Sequence, residues 1–158
     1  MATPFRIAIV TSCLAMTGCA TLDRDNAPDA ICREIASFAR AAADKSVHSV
    51  ELVTDWPTWS KTCTHDNYGP GMTLCDWLLK HSSTEFMYAN INDALACLGP
   101  GNPSDLVPRL IPNYASGSYS SFEAKHLGLD YEVQVEFSTG VTGKPESLKI
   151  SAERQESL

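Results

Sequence analysis

From residue 129 to 137 the chain alternates strictly: Leu129, Tyr131, Val133, Val135 and Phe137 fall on one side, and Asp130, Glu132, Gln134 and Glu136 on the other. A period of two predicts a half-buried strand with a solvated acidic face. Stretches 118–126 and 147–153 are its expected neighbours. The connections carry Gly128, then Gly140, Gly143 and Pro145, which suit an antiparallel meander. Lys125 and Lys149 are placed to lie opposite the acidic row. The N-terminal half reads differently. Ile31, Ile35, Phe38, Ala39 and Ala42 recur at helical spacing and predict a helix over about 27–43, with Asn26 as cap and Pro28 in the first turn. Residues 47–55 are rich in β-branched side chains and read as a strand that Trp56-Pro57 breaks, with a further extended piece reaching toward Cys63.

A turn-rich loop is expected over 64–71 (T-H-D-N-Y-G-P-G). Thr73 with Asp76, and Ser82 with Glu85, form two capping-box patterns, predicting helices over about 74–81 and 83–98. Gly99-Pro100 is a stop signal. Pro100, Gly101, Pro103, Pro108 and Pro112 mark 99–113 as a linker or an irregular covering segment. The fold class that follows is α+β: a helical half tied by disulfides plus a small antiparallel β-sheet.

An apolar fraction of 44% and a charged fraction of 20% are ordinary globular values, and 158 residues suffice for one domain plus a targeting segment. The first eighteen residues change the picture. One basic side chain, Arg6, precedes a run from Ile7 to Met16 that is apolar apart from Thr11 and Ser12, half the length of roughly twenty residues that a spanning helix needs. This is the layout of a secretory signal. The run closes in Met16-Thr17-Gly18-Cys19, which resembles the lipobox of bacterial lipoproteins, with Met16 where Leu is usual. The resemblance implies cleavage before Cys19, lipidation of its thiol, and a membrane anchor. Ala20 rather than Asp after it implies outer-membrane sorting, with the body facing the periplasm. The organisation expected is a signal peptide over 1–18, a lipidated cysteine and tether over 19–27, and a single globular domain over 28–158. Without residues 1–18 the formal charge moves from −7 to −8, because Arg6 is the one charged residue lost. An acidic body disfavours nucleic acid as a partner and favours a basic one.

With Cys13 removed and Cys19 acylated, Cys32, Cys63, Cys75 and Cys97 remain. An even number in an exported chain reads as two disulfides. Three pairings are possible. The favoured one closes a short loop with Cys63–Cys75 and ties the first helix to the last with Cys32–Cys97. Cys63, His65, Asp66 and Cys75 match no standard zinc spacing, so no metal or cofactor is expected.

No G-x-S-x-G, S-x-x-K or H-E-x-x-H motif occurs, and no catalytic residue is assigned. The order A-K-H-L-G, E-V-Q-V-E-F, G-K-P-E-S-L-K-I-S over 124–151 is similar to the strand pair in the C-terminal domain of TonB-type energy transducers, a hairpin pattern from which no function is carried over. Two clusters remain as candidate partner-binding residues. One is His65, Asp66 and Tyr68, with Trp59 and Trp56 near in sequence; these indoles either fill the core or join a contact surface. The other is the acidic row Asp130, Glu132 and Glu136, which is either an ordinary wet sheet face or a receiver for a basic protein. The expected function is a membrane-anchored, periplasm-facing binding lipoprotein, an inhibitor or immunity protein against an envelope-acting enzyme. The alternative is a structural or assembly lipoprotein of an envelope complex.

Overall fold

A computed structural model of the chain describes residues 27–42, 46–99, 115–140 and 144–155. The lipobox, Cys19, the tether and the proline-rich 100–113 lie outside the described residues. The elements are α1 (Ala27–Ala41), β1 (His48–Asp55), β2 (Ser60–His65), α2 (Gly69–His81), α3 (Met87–Leu95), β3 (Ala115–Ser121), β4 (Tyr131–Thr139) and β5 (Glu146–Arg154). The class is α+β, with three helices on one five-stranded sheet of order β2-β1-β5-β4-β3. Every neighbouring pair is antiparallel. No described helix is long and apolar enough to cross a membrane.

The sheet is more unified than the chain order predicts. The hairpin β1–β2 belongs by sequence to the helical half, and β3–β4–β5 form the expected meander. They join because β5 pairs along its other edge with β1, setting Val50 against Ile150 and Leu52 against Leu148. Burial follows this register. Val50, Leu52, Val133, Val135, Leu148 and Ile150 are buried on one face, under Ile31, Ile35 and Phe38 of α1, Leu74 and Leu78 of α2, and Met87 and Ile91 of α3. Strand alternation supplies one half of this core and helical periodicity the other.

Both disulfides have the favoured pairing. Cys32–Cys97 ties α1 to the turn after α3, and Cys63–Cys75 ties β2 to α2, with Cα atoms 5.2 and 5.5 Å apart. In the chain-entropy picture, loops of these lengths stabilise by about 4 and about 3 kcal/mol.

Local structure departs from expectation at four places. Helix α2 starts at Gly69 rather than near residue 74, so the loop shortens to 66–68. Pro70 occupies the first turn, where no N–H is needed, after an extended Tyr68 at the cap. A Cβ at Gly71 would meet Val50 Cγ1 at 3.3 Å and His65 Cβ at 3.4 Å, so the bare backbone lets α2 sit close on the sheet. Neither capping box forms. Thr73 Oγ1 donates back to the Gly69 carbonyl, and Ser82 is the C-cap of α2, its N–H bonded to Leu78 O. The second box fails because the Asn90 amide clamps both the N–H and the C=O of Ser83 at 2.8 Å, which holds 82–86 out of the helix. Strand β4 runs from Tyr131, two residues later than the alternation began, and Leu129 lies outside it at 71% exposure, in the turn after Gly128. Finally, β3 ends at Ser121, which moves Lys125 off the sheet; its backbone N–H bonds Cys97 O, and Lys149 alone meets the acidic row.

Candidate functional site: the acidic open face of the sheet

Residues alternate with the core positions to form the sheet's second face, against which no described helix packs. Its central row runs Thr64, Glu51, Lys149, Glu136, Ser118 across all five strands. Adjacent rows place Ser151 beside Ser49 and Gln134, and Glu153 opposite Glu132. Five carboxylates, from Glu51, Asp55, Glu132, Glu136 and Glu153, share this face with one lysine. Lys149 Nζ donates to Glu136 Oε2 at 3.2 Å, and Glu51 stands opposite Lys149 on the other side. Glu132 accepts from Gln155 Nε2 at 3.2 Å. These side chains are half-buried with no described helix over them, and the face carries net negative charge. Near one edge lies a shallow concavity of about 260 Å³ bordered by Glu51, Thr64, His65, Asp66 and Lys149.

The expected site residues divide among three locations. Glu132 and Glu136 lie on the open face, and Asp130 is exposed just before β4. His65, Asp66 and Tyr68 are near one another, but they spend their hydrogen bonds on the β2–α2 turn. Asn67, at φ 63°, sends its N–H to His65 Nδ1 at 3.2 Å. Asp66 accepts the Tyr68 N–H at 3.4 Å and bonds His48 Nδ1 at 3.1 Å. The Tyr68 ring stacks on His48 at 3.7 Å and meets Phe38 edge-on, so it acts as packing. Trp59 is at the far end of β2 from this turn, 64% exposed; Trp56 is 56% exposed. Neither indole fills the core, and neither joins the His65–Tyr68 turn.

Ser46 Oγ lies 2.9 Å from His48 Nε2, so Ser46, His48 and Asp66 follow the order of a serine-hydrolase triad. Acyl transfer also needs a pocket for the acyl group and donors for the oxyanion. Neither Ser46 nor His48 borders the adjacent concavity, and His48 is held face-on by Tyr68. The chain of bonds ties the start of β1 to the β2–α2 turn.

A second concavity, about 400 Å³, opens between the three helices beside Glu34, Trp77, His81, Asn90 and Asp93. Trp77 and His81 stack at 4.5 Å. Burial raises the Asp93 carboxyl above its usual range. On the neighbouring rim a hydrogen bond from His126 lowers Asp29 below its own usual range, and Arg33 adds an ion pair at 3.0 Å. Among the described residues no cluster of His, Cys, Asp and Glu is suited to hold a metal.

Glu51, Asp55 and Glu153 were missed in the sequence, although the alternation Ser49, Glu51, Val53, Asp55 carries the signal for two of them. Comparison with protein families, with curated proteins and with solved structures finds no match. The reading of the site therefore rests on its own geometry.

Proposed function

We propose that this chain is a lipid-anchored envelope protein, attached through Cys19 to the outer membrane and facing the periplasm, whose open sheet face captures a basic protein. The reading that fits best is an inhibitor or immunity protein against an envelope-acting enzyme. The observation that carries it is the row Glu51–Lys149–Glu136 with Glu132 and Glu153 beside it and Asp55 at the end of β1: five carboxylates and one lysine on a face against which no described helix packs. Such a field attracts a cationic surface and speeds its encounter, while the concavity beside Glu51 and Asp66 accepts a single lysine or arginine side chain. Supporting the address are the signal-like first eighteen residues and the lipobox resemblance, together with two disulfides that suit an oxidising compartment.

The test is capture. The oxidised mature protein is immobilised, envelope and secreted extracts are passed over it at low and high salt, and retained proteins are identified by mass. The expected result is a stoichiometric basic hydrolase whose activity falls on binding. Glu51→Gln with Glu136→Gln should weaken its retention strongly, at a cost in stability of no more than about 1 kcal/mol for the lost exposed ion pair. Retention of an acidic or neutral envelope subunit that survives both high salt and the double substitution would instead make this an assembly lipoprotein.

A further inference from the structure

Four aromatic rings are exposed at one end of the molecule, and the observations that place them there are independent of one another. The β1–β2 turn is Trp56-Pro57-Thr58-Trp59, closed by a bond from Trp59 N–H to Trp56 O at 3.1 Å. Pro57 fixes its own φ, Trp59 sits at φ 52°, and Thr58 Oγ1 bonds Asp55 O and Ser60 Oγ, so the turn is built to one shape. Beside it, Lys61 Nζ donates to the Ser82 carbonyl at 2.7 Å. Burial of that ammonium lowers its pKa below the ordinary lysine value. Ser82 in turn borders the same cleft as Ala30 and Glu34 in the first turns of α1. Phe86 and Tyr88 follow Ser82 by a few residues, both exposed, their rings edge-to-face at 5.7 Å. The tip of the β1–β2 hairpin therefore lies beside the end of α2 and the segment that leads into α3, and the cleft bordered by Ser82 reaches to the first turns of α1. The opposite end, around His48 and the β2–α2 turn, exposes Val47, Met72 and Leu129 with a single aromatic ring, Phe122, and no indole.

We infer that the Trp56–Trp59 turn is a second membrane contact, its two indoles entering the boundary between headgroups and acyl chains with Phe86 and Tyr88 beside them. This rests on the lipid-anchor reading, in which the acylated Cys19 lies within about 27 Å of Ala27 along an extended chain. A tether of that length leaves the hairpin tip within reach of the bilayer that holds Cys19. Indole suits the interface because its body is apolar and its N–H is polar. A preformed turn enters without the ordering cost of a flexible loop. Between residues 55 and 60 the only charge is Asp55, so insertion relies on neutral lipid and not on anionic headgroups. The strands then stand away from the membrane, leaving the acidic face open sideways to a partner.

The experiment uses the mature lipidated protein in phosphatidylcholine vesicles, with and without acyl chains brominated near the headgroup. Of the three tryptophans, Trp77 lines the cleft against His81 and serves as the internal reference. Brominated lipid should remove most of the Trp56 and Trp59 emission, leaving a residue equal to that of the Trp56→Ser, Trp59→Ser double variant, whose own emission stays unquenched. High salt should leave the quenching unchanged. The double variant should keep the wild-type melting temperature, since both rings are solvent-exposed. Equal emission in the two lipids overturns the proposal. So does unquenched emission coupled with loss of the captured partner in the double variant, which would make the tip a protein contact. Intact mass reports acylation separately. Acylated, vesicle-bound protein with unquenched indoles sinks this inference alone, whereas protein without acyl groups sinks the anchor reading and this inference with it.

Discussion

Leu148 and Lys149 are neighbours in the chain and belong to different regions of the molecule. Leu148 has no exposed surface and packs in the core under the helices; Lys149 lies on the open face between Glu51 and Glu136. Their faces differ in the same way along the sheet: Leu52, Val133, Val135 and Ile150 against Glu51, Glu132, Gln134 and Glu136. Burying one such aliphatic side chain contributes roughly 1.5–3 kcal/mol, whereas an exposed ion pair contributes about 0–1 kcal/mol. Folding therefore constrains one face strongly and the other weakly. A surface that folding barely constrains is available to be shaped by a partner, and its five carboxylates show where such shaping would act.

The contrast is tested most severely through what holds the helices over the covered face. Replacing Cys32 and Cys97 together by Ala should cost about 4 kcal/mol, against about 3 kcal/mol for the Cys63 and Cys75 pair, as the separations of 65 and 12 residues require. Urea unfolding of each pair measures this, and the reverse order would mean that the short β2–α2 clip carries more of the fold than its loop length allows. Next in size, Leu148→Ala should cost roughly 2–5 kcal/mol and Lys149→Ala no more than about 0.5 kcal/mol. Comparable losses at the two positions would erase the distinction between the faces.

Much of this two-sidedness was legible in the chain. The alternation around Val133 and Val135 and the apolar face of α1 from Ile31 to Ala42 follow from spacing within single segments, and the cysteine pairing is the favoured one of the three that four cysteines allow. The seam between β1 and β5 does not. It pairs His48 with Ala152 across about two-thirds of the chain, and no local pattern encodes which edge of a strand finds which partner. That seam brings Glu51 to Lys149, so the part of the candidate site that depends on it was invisible while the row Glu132–Glu136 was not. Local rules failed where tertiary contacts overrode them. The clamp of Asn90 on Ser83 defeated a capping box, and close packing at Gly71 extended α2 backward over a turn-rich stretch. Trp56 and Trp59 mislead in the other direction, since residue type alone favours burial and the hairpin geometry puts both outside.

The open face also holds an internal conflict that sharpens the comparison. Glu132 and Glu153 are directly opposite each other in the register, and like charges so placed are destabilising. Glu153→Gln should therefore stabilise by about 0.2–1 kcal/mol in thermal or urea unfolding, with the gain shrinking as salt screens the pair. The same substitution should weaken capture of a basic partner. A face selected only for solubility would lose nothing by the change, so stabilisation without any loss of binding would return this face to that ordinary role.

The smallest expected effect separates two carboxylates on the helical layer by sign. Asp93 is half-buried in the cleft, and burial raises its folded pKa above the unfolded value near 3.8. The protonated form is favoured by folding, so the stability linked to this group is full below that value and is lost as pH rises through the folded pKa. Asp93→Asn keeps the shape and removes the charge. It should stabilise at neutral pH by about 0.5 kcal/mol or less and make no difference well below the unfolded value. Asp29 behaves oppositely. Its hydrogen bond with His126 lowers the folded pKa, so its contribution is present above 3.8 and is lost as pH falls through the folded value. Asp29→Asn should destabilise at neutral pH, and that deficit should vanish in acid. Melting temperatures of the two variants against pH would then depart from wild type in opposite directions at neutral pH and converge on it at the acid end. Departure in the same direction would mean that burial at Asp93 is relieved by water in the cleft, and that the helical layer treats its carboxylates as the open face does.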